Sequence, residues 1–463
     1  MVGGRDAVSR DVRIKALTLA SVAAEVAALR PPDSSSREVA EVVARLLADI
    51  RARGDAALIE ATARFDWEGA SAAALPVPAA DIEAAYGAAD RRLIAALQTA
   101  RDNCTFFHRH ELTADWEDEG AQGQRLGIRH LPVERAGLYV PGGMGSYAST
   151  VIMNAVPAVV AGVKELVICT PPGRDGNVNP SVLAAARLMG IDRVFRVGGA
   201  QAITAMAYGT ETIPRVDVIC GPGNAYVMEA KRQVYGAVGI DNLAGPSEVL
   251  VVADRTARPA WVAADMLAQE EHGSGAQAVL MADSLELCVE VEEALGQLRK
   301  AGAPVAMAGT GRPAAAEIGT AGAVAADAAD ARLRAFYPAA GEDFLELAAA
   351  LVNSYAPEHL ELQLADPRGF LPRVRSAGAI FIGHRTPTAF GDYIAGSNHV
   401  LPTGGSARFL SPLSVDTFMR KSSCVEMSAE AVVALTPHLA AVADSEGFAF
   451  HRISAELRAA EVD

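Results

Sequence analysis

Cysteine is scarce in this chain: five residues in 463, Cys104, Cys169, Cys220, Cys288 and Cys424, odd in number, far apart and never in a CxxC pair. That usage excludes a disulfide framework and a thiolate zinc site and fits a reducing cytoplasm. Basic charge is short as well. Lys and Arg number 41 against 56 Asp and Glu, a formal net charge of -15, which is the opposite of the footprint left by binding a phosphate backbone, so nucleic acid is not an expected partner. Long apolar runs are missing. The best candidate, around Met153 to Val163, contains Pro157 and Gly162 and falls short of the roughly 18 residues that a membrane span needs. The shorter run Ala16 to Ala24 follows Arg13 and Lys15, but Asp6 and Asp11 break the basic lead and Glu25 follows without a cleavage context. It reads as an amphipathic first helix and not as a signal-peptide core. No internal repeat is present, which removes solenoids and propellers.

What the chain does have is apolar material, 51% hydrophobic residues against 21% charged, enough for two or three buried cores. Residues 35 to 66 read as helix, with Ser35 and Glu38 spaced as a capping box and Val39, Val42, Val43, Leu46, Leu47 and Ile50 recurring at helical intervals. From about residue 130, β-branched runs alternate with helical stretches: Leu166 to Cys169, Val194 to Val197, Val216 to Cys220, Val249 to Val252 and Ala379 to Ile382. That rhythm predicts an α/β fold with parallel sheets and crossover helices, spread over too much chain for one compact unit. Residues 300 to 345 are Ala- and Gly-rich with poor periodicity, Val305 to Ala308 being a candidate strand. The tail from Ala429 to Glu461 returns to helix.

Several side chains are suited to chemistry. In YAPEHLEL, Tyr355 to Leu362, Glu358 and His359 follow Pro357, a placement that suggests the first turn of a helix. A carboxylate that activates water beside an imidazole that takes a proton could serve two proton transfers in one pocket. Gln269 and His272, three apart, would share a helix face as two metal ligands, or lie on a solvated face beside Glu270 and Glu271. In GDYIAGSNHVLPTGG, Asp392 and His399 sit among turn residues, suited either to ligand binding or to backbone capping in which Asp392 and Asn398 satisfy nearby amides. Glu446 and His451 stand five apart on the tail. Two glycine turns, YVPGGMGSY from Tyr139 and ICGPGNAYV from Ile219, can aim backbone amides at a phosphate, although neither completes the GxGxxG dinucleotide fingerprint.

Taken together, VPGGMGSYASTVIMNAVPA, VGGAQAITAMAYGTETIP, GPGNAYVMEAKRQV, AGPSEVLVVAD, QEEHGSGAQAVL, YAPEHLEL and GDYIAGSNHVLPTGG resemble the histidinol dehydrogenase family, in the same order, over roughly residues 36 to 285 and 350 to 460. The stretch near 300–345 departs from that family's strand and helix pattern. The resemblance implies two related, incomplete Rossmann-like parallel-sheet domains with a helical N-terminal lobe and a helical C-terminal tail. The implied divisions are 1–129 for the lobe and part of the first α/β core, 130–245 for the NAD-side domain, 246–385 for the second domain with its atypical insertion, and 386–463 for an active-site loop and dimerisation tail.

The same resemblance implies one Zn2+ per subunit held by Gln269, His272, Asp392 and His451, with Glu358 and His359 catalytic. It implies substrate contacts from Ser247, His399 and Glu446 besides Gln269, His272, His359, Asp392 and His451, and NAD contacts from Tyr139, Gln201 and Asn224. The implied reaction is the four-electron, NAD-dependent oxidation of L-histidinol to L-histidine through retained L-histidinal, the last steps of histidine biosynthesis. A homodimer in which the tail of one subunit completes its partner's site is implied as well. The competing expectation is a sister dehydrogenase that oxidises a non-imidazole alcohol, such as a sulfonated diol; Ser247, His399 and Glu446 argue against it.

Overall fold

The computed structural model describes residues 12–30, 37–142, 147–273, 275–301 and 333–461. Its N-terminal part holds β1 (Val12–Leu17), α1 (Val22–Leu29), α2 (Arg37–Arg53), α3 (Asp55–Phe65), α4 (Ala79–Ala88), α5 (Arg91–Arg109), β2 (Trp116–Glu119) and β3 (Gln124–Pro132). The helical reading of 35 to 66 divides at Gly54 into α2 and α3, and the capping-box Ser35 lies outside the described residues. The expected first helix at Ala16 to Ala24 is corrected: Val12–Leu17 is a strand, and helix begins only at Val22. Leu17 is wholly buried and β1 pairs in parallel with a strand more than 300 residues away, a partner that local periodicity does not reveal.

Next come β4 (Arg135–Tyr139), α6 (Ala148–Ala161), β5 (Glu165–Thr170), α7 (Pro180–Leu188), β6 (Arg193–Arg196), α8 (Gly199–Tyr208), β7 (Val218–Cys220), α9 (Ala225–Val234) and β8 (Gly239–Ile240). All five strands are parallel, in the order β6-β5-β4-β7-β8. One face packs on α4 to α7 and the other on α2, α3, α8 and α9, with strand residues such as Leu138 and Ile219 fully buried between them.

A second run follows: β9 (Glu248–Ala253), α10 (Pro259–Glu270), β10 (Gln277–Ala282), α11 (Leu285–Ala301), β11 (Leu333–Pro338), α12 (Phe344–Tyr355), β12 (His359–Gln363), α13 (Pro367–Phe370) and β13 (Ala379–Ile382). Its strands are again parallel, in the order β11-β10-β9-β12-β13, with β1 added at the β11 edge. In both sheets the first strand is central, the next two extend to one side and the last two to the other. The chain is therefore an α/β protein with two related, incomplete Rossmann-like domains. The stretch expected to be atypical contains a regular sheet strand, β11; the candidate strand Val305 to Ala308 lies outside the described residues.

The last part holds α14 (Thr388–Tyr393), β14 (Met419–Met427), α15 (Ala429–Glu446) and α16 (Ala449–Ala460). The helical tail is present, although Gly447 separates its two helices. A third sheet, antiparallel in the order β14-β3-β2, was not expected; its strands are mostly solvent-facing and carry WEDE and MRKSSCVEM, which have no buried alternation to reveal them. Among the described residues no helix is long and apolar enough to cross a membrane.

Candidate active site

The sequence reading placed Glu358 and His359 on a helix, and this is corrected. Helix α12 ends at Tyr355, Ala356 takes a left-handed conformation at φ 47°, and His359 opens β12. Proline 357 disfavours helical geometry in the residue before it, so it marks the end of the preceding helix. Strand β12 lies between β9 and β13, so Leu360 and Leu362 meet one core while His359, Glu361 and Gln363 alternate to the other face.

The pair is therefore held rigidly at the amino edge of the second sheet. Glu358 Oε2 accepts from Ser247 Oγ at 2.5 Å and from the Glu248 N–H at 2.9 Å. Burial raises its pKa, countered by the charge of His359 and these two donors. His359 Nδ1 lies 3.2 Å from the Glu248 carbonyl, an acceptor only, so Nδ1 carries a proton and donates there; Nε2 faces Asp392 Oδ1 at 3.3 Å. Burial alone would depress His359, but the Glu358 carboxylate and the hydrogen bond with Asp392 carry it to about 9. Below about pH 9 both ring nitrogens are protonated and Nε2 donates to Asp392; above it, Nε2 is free to take a proton.

Asp392 belongs to the short helix α14 and not to a loop. Burial opposes its charge, but the bond from His359 and the fields of His359, His399 and His272 hold it below the usual carboxylate range. Its backbone carbonyl accepts from His399 Nδ1 at 2.8 Å, while His399 Nε2 faces Thr150 Oγ1 of α6 at 3.5 Å. The pocket is thereby shared by both domains. Asn398 does cap locally, accepting from the Val400 N–H at 2.9 Å. Gln269 ends α10 and His272 lies just beyond it, so the continuous helix expected there stops at Glu270; His272 Nδ1 returns to the Gln269 carbonyl at 3.2 Å. Gln269 is only 2% exposed, and its buried Nε2 has no hydrogen-bond partner. The amide oxygen of Gln269, the imidazole of His272 and the carboxylate of Asp392 are N and O donors of the types that suit zinc.

Glu446 and His451 are not brought to this pocket. Both are exposed, and His451 stacks on Phe448 of its own tail at 5.0 Å. Among the described residues, no three His, Cys, Asp or Glu side chains of one chain gather to hold a metal.

Tyr139, Gln201 and Asn224, expected from the resemblance to meet NAD, lie at the carboxyl ends of the central strands of the first sheet, where strand order reverses. Tyr139 ends β4, and its hydroxyl accepts from the Gly199 N–H at 3.0 Å at the start of α8. Gln201, in the same helical turn, donates to Asp66 Oδ2 at 3.1 Å, and Asp66 also accepts from the Gly198 N–H at 2.8 Å. Asn224 caps α9 through the N–H groups of Tyr226 and Val227. Gly221, at φ 118°, must be glycine because a Cβ would stand 2.1 Å from the Tyr139 carbonyl oxygen. Its N–H donates to Asp241 and its carbonyl accepts from Lys231, a wholly buried lysine ion-paired with that same Asp241. The N-terminal ends of α8 and α9, each capped by a side chain, flank the glycine-rich turn at Gly221 and Gly223, and their dipoles suit a pyrophosphate.

The sequence profile of the histidinol dehydrogenase family matches residues 29–459. The chain belongs to the histidinol dehydrogenase family. It is 48% identical to a histidinol dehydrogenase of Synechococcus sp. over 432 residues, covering 93% of each chain, and 47% identical to one of Geobacter sulfurreducens, covering 92% of this chain and 94% of that one. The crystal structure of histidinol dehydrogenase from Elizabethkingia anophelis superposes with a TM-score of 0.86 at 31% identity, covering 98% of this chain and 99% of that one. The chain is thus an oxidoreductase.

For a histidinol dehydrogenase the pocket also contains residues that the sequence did not single out. Asp66 holds Gly198 and Gln201, Asp241 and Lys231 hold Gly221, the Glu248 carbonyl faces His359, and Glu361 holds the Thr388 N–H at the start of α14.

Proposed function

We propose that this chain oxidises L-histidinol to L-histidine with two NAD, through L-histidinal that stays in the pocket. The observation that supports the reading is one contact network in which Glu358, His359 and Asp392 join Ser247 and His399. NAD, when bound across Tyr139, Gln201 and Asn224, supplies the acceptor for each hydride. Zinc, when bound by Gln269, His272, Asp392 and a partner's tail His451, would contribute chiefly by orienting the imidazole and amine of the substrate.

The protein side chains move the protons. His359, with Nδ1 fixed on the Glu248 carbonyl, takes the alcohol proton at Nε2 as the first hydride leaves. Glu358, desolvated and therefore more basic than a surface carboxylate, deprotonates the water that adds to the aldehyde. His359, neutral again after returning its first proton to the aldehyde oxygen as water adds, takes a hydroxyl proton of the hydrate as the second hydride leaves, and the acid so formed releases its proton to solvent as the carboxylate. Ser247 and His399 line the pocket for the substrate, and Glu446 of the partner would meet its cationic amine.

A homodimer is part of the proposal. The tail presents Val433, Val442, Phe450 and Leu457 to solvent at 48%, 57%, 85% and 64% exposure, an apolar surface large enough to bury against a second copy. The work would take place in the cytoplasm, where the buried thiols stay reduced. The test is NADH formation by purified zinc-loaded protein with L-histidinol or with a sulfonated diol. Turnover of histidinol is expected; turnover of the diol alone would assign the sister specificity, and silence with both would reject the reading.

A further inference from the structure

The strand face that carries His359 continues through Glu361 and Gln363, 1% and 2% exposed. A buried carboxylate in such a position must be satisfied from several sides. Glu361 Oε1 accepts from the backbone N–H of Thr388, the first residue of α14, at 2.9 Å. Its Oε2 accepts from Gln363 Nε2 at 3.0 Å, and that same amide donates to Asp265 Oδ2 on α10 at 2.9 Å. Asp265 and Glu361 also share a hydrogen bond. Burial, then the negative field of Glu361, pushes Asp265 up to about 8, so Asp265 is the protonated donor and Glu361 the acceptor.

Three elements thus meet at one carboxyl pair, and each carries part of the pocket. Helix α10 ends in Gln269, β12 begins with His359, and α14 carries Asp392 four residues beyond Thr388. Helix α14 also sits unusually close to the sheet, since Gly391 leaves no room for a Cβ against the Phe381 ring, 2.6 Å away. We propose that Asp265 and Glu361 are positioning residues for catalysis, setting the separation of α14, α10 and β12 and thereby the approach of Asp392 to His359 and Gln269. This inference rests on the roles given above to those three residues.

The test compares wild type with Glu361→Gln, Glu361→Leu and Asp265→Asn. Asparagine at 265 keeps a donor toward Glu361 and an acceptor for Gln363, and is expected to lower kcat less than Glu361→Gln does. Glutamine at 361 keeps an acceptor for Thr388 but turns an amide N–H toward the donors of Gln363 and Asp265. It is expected to lower kcat with histidinol about ten- to a hundredfold and to weaken zinc retention against a chelator by a similar factor, with the KM for NAD unchanged. Glu361→Leu should lose more, and if it fails to fold, the glutamine variant still decides. Wild-type kcat and zinc retention in Glu361→Gln would overturn the proposal. So would a parallel loss of NAD binding and thermal stability, the mark of a general packing role. Failure of wild type to oxidise histidinol would instead sink the functional reading, so the two failures are separable.

Discussion

Glu248 is buried at the first position of β9 with Oε1 unpartnered, and burial together with the nearby Glu358 raises its pKa from 4.5 to about 7. Below 4.5 the folded and unfolded chains both hold the proton. Between 4.5 and about 7 the unfolded chain releases it while the folded one keeps it, so this group's contribution to stability is present at low pH and is lost as pH rises through that window. The span, about 2.5 pKa units at roughly 1.4 kcal/mol each, amounts to on the order of 3 kcal/mol for this buried site. Glu248→Gln keeps the shape and an acceptor oxygen, and cannot ionise. The variant should therefore melt several degrees above wild type near about pH 8, with the difference closing toward about pH 5. Thermal melts of both proteins across that range are the assay. A difference that does not change with pH, or a variant less stable than wild type at the alkaline end, would refute the reasoning.

Gly391→Ala must push a methyl into the Phe381 ring, which packs near His359; a loss of about 1 to 3 kcal/mol in denaturant titrations and a fall in kcat are expected. Lys231→Met strands a buried Asp241 and should cost about 3 to 5 kcal/mol, whereas Lys231→Met with Asp241→Leu should recover much of the stability but not the NAD affinity, since the Gly221 turn loses both of its anchors. The exchange of tails predicts complementation. Glu358→Gln and His451→Ala should each be inactive alone, and co-refolded together should regain about a quarter of wild-type activity, because half of the dimers are hybrids with one intact site; no recovery would place both residues in one subunit's site.

The α/β rhythm was legible because the strands of both parallel sheets are buried on two faces and appear as short β-branched runs such as Val249 to Val252. The same burial misled at YAPEHLEL, where His359 and Glu361 belong to a central strand and Glu358 precedes it, although Pro357 suggested the first turn of a helix. Strands β1 and β14 escaped because their partners β11 and β3 lie far along the chain, and the neighbouring pair β2 and β3 because their residues are exposed or half-buried with no clean alternation. In the pocket, the residues with distinctive chemistry could be read from motifs: hydrogen bonds link Ser247 to Glu358, His359 to Asp392, and Asp392 to His399, His272 lies close enough for its charge to act on Asp392, and Glu446 and His451 stay on the tail. Their supports could not be read. Asp66 reaches Gly198 across 132 positions, and Asp265 meets Gln363 across 98, separations over which no periodicity carries information.

The division of labour between Glu358 and His359 is the centre of this account, and a single-turnover experiment addresses it most directly. Enzyme in excess over L-histidinol, with saturating NAD, is followed for NADH in wild type and in Glu358→Gln. Two NADH per histidinol are expected from wild type, and from the variant a first NADH at a near-normal rate followed by arrest at the aldehyde, since His359 still takes the alcohol proton while no carboxylate activates water. Two NADH at the wild-type rate from the variant, or loss of the first oxidation along with the second, would contradict it.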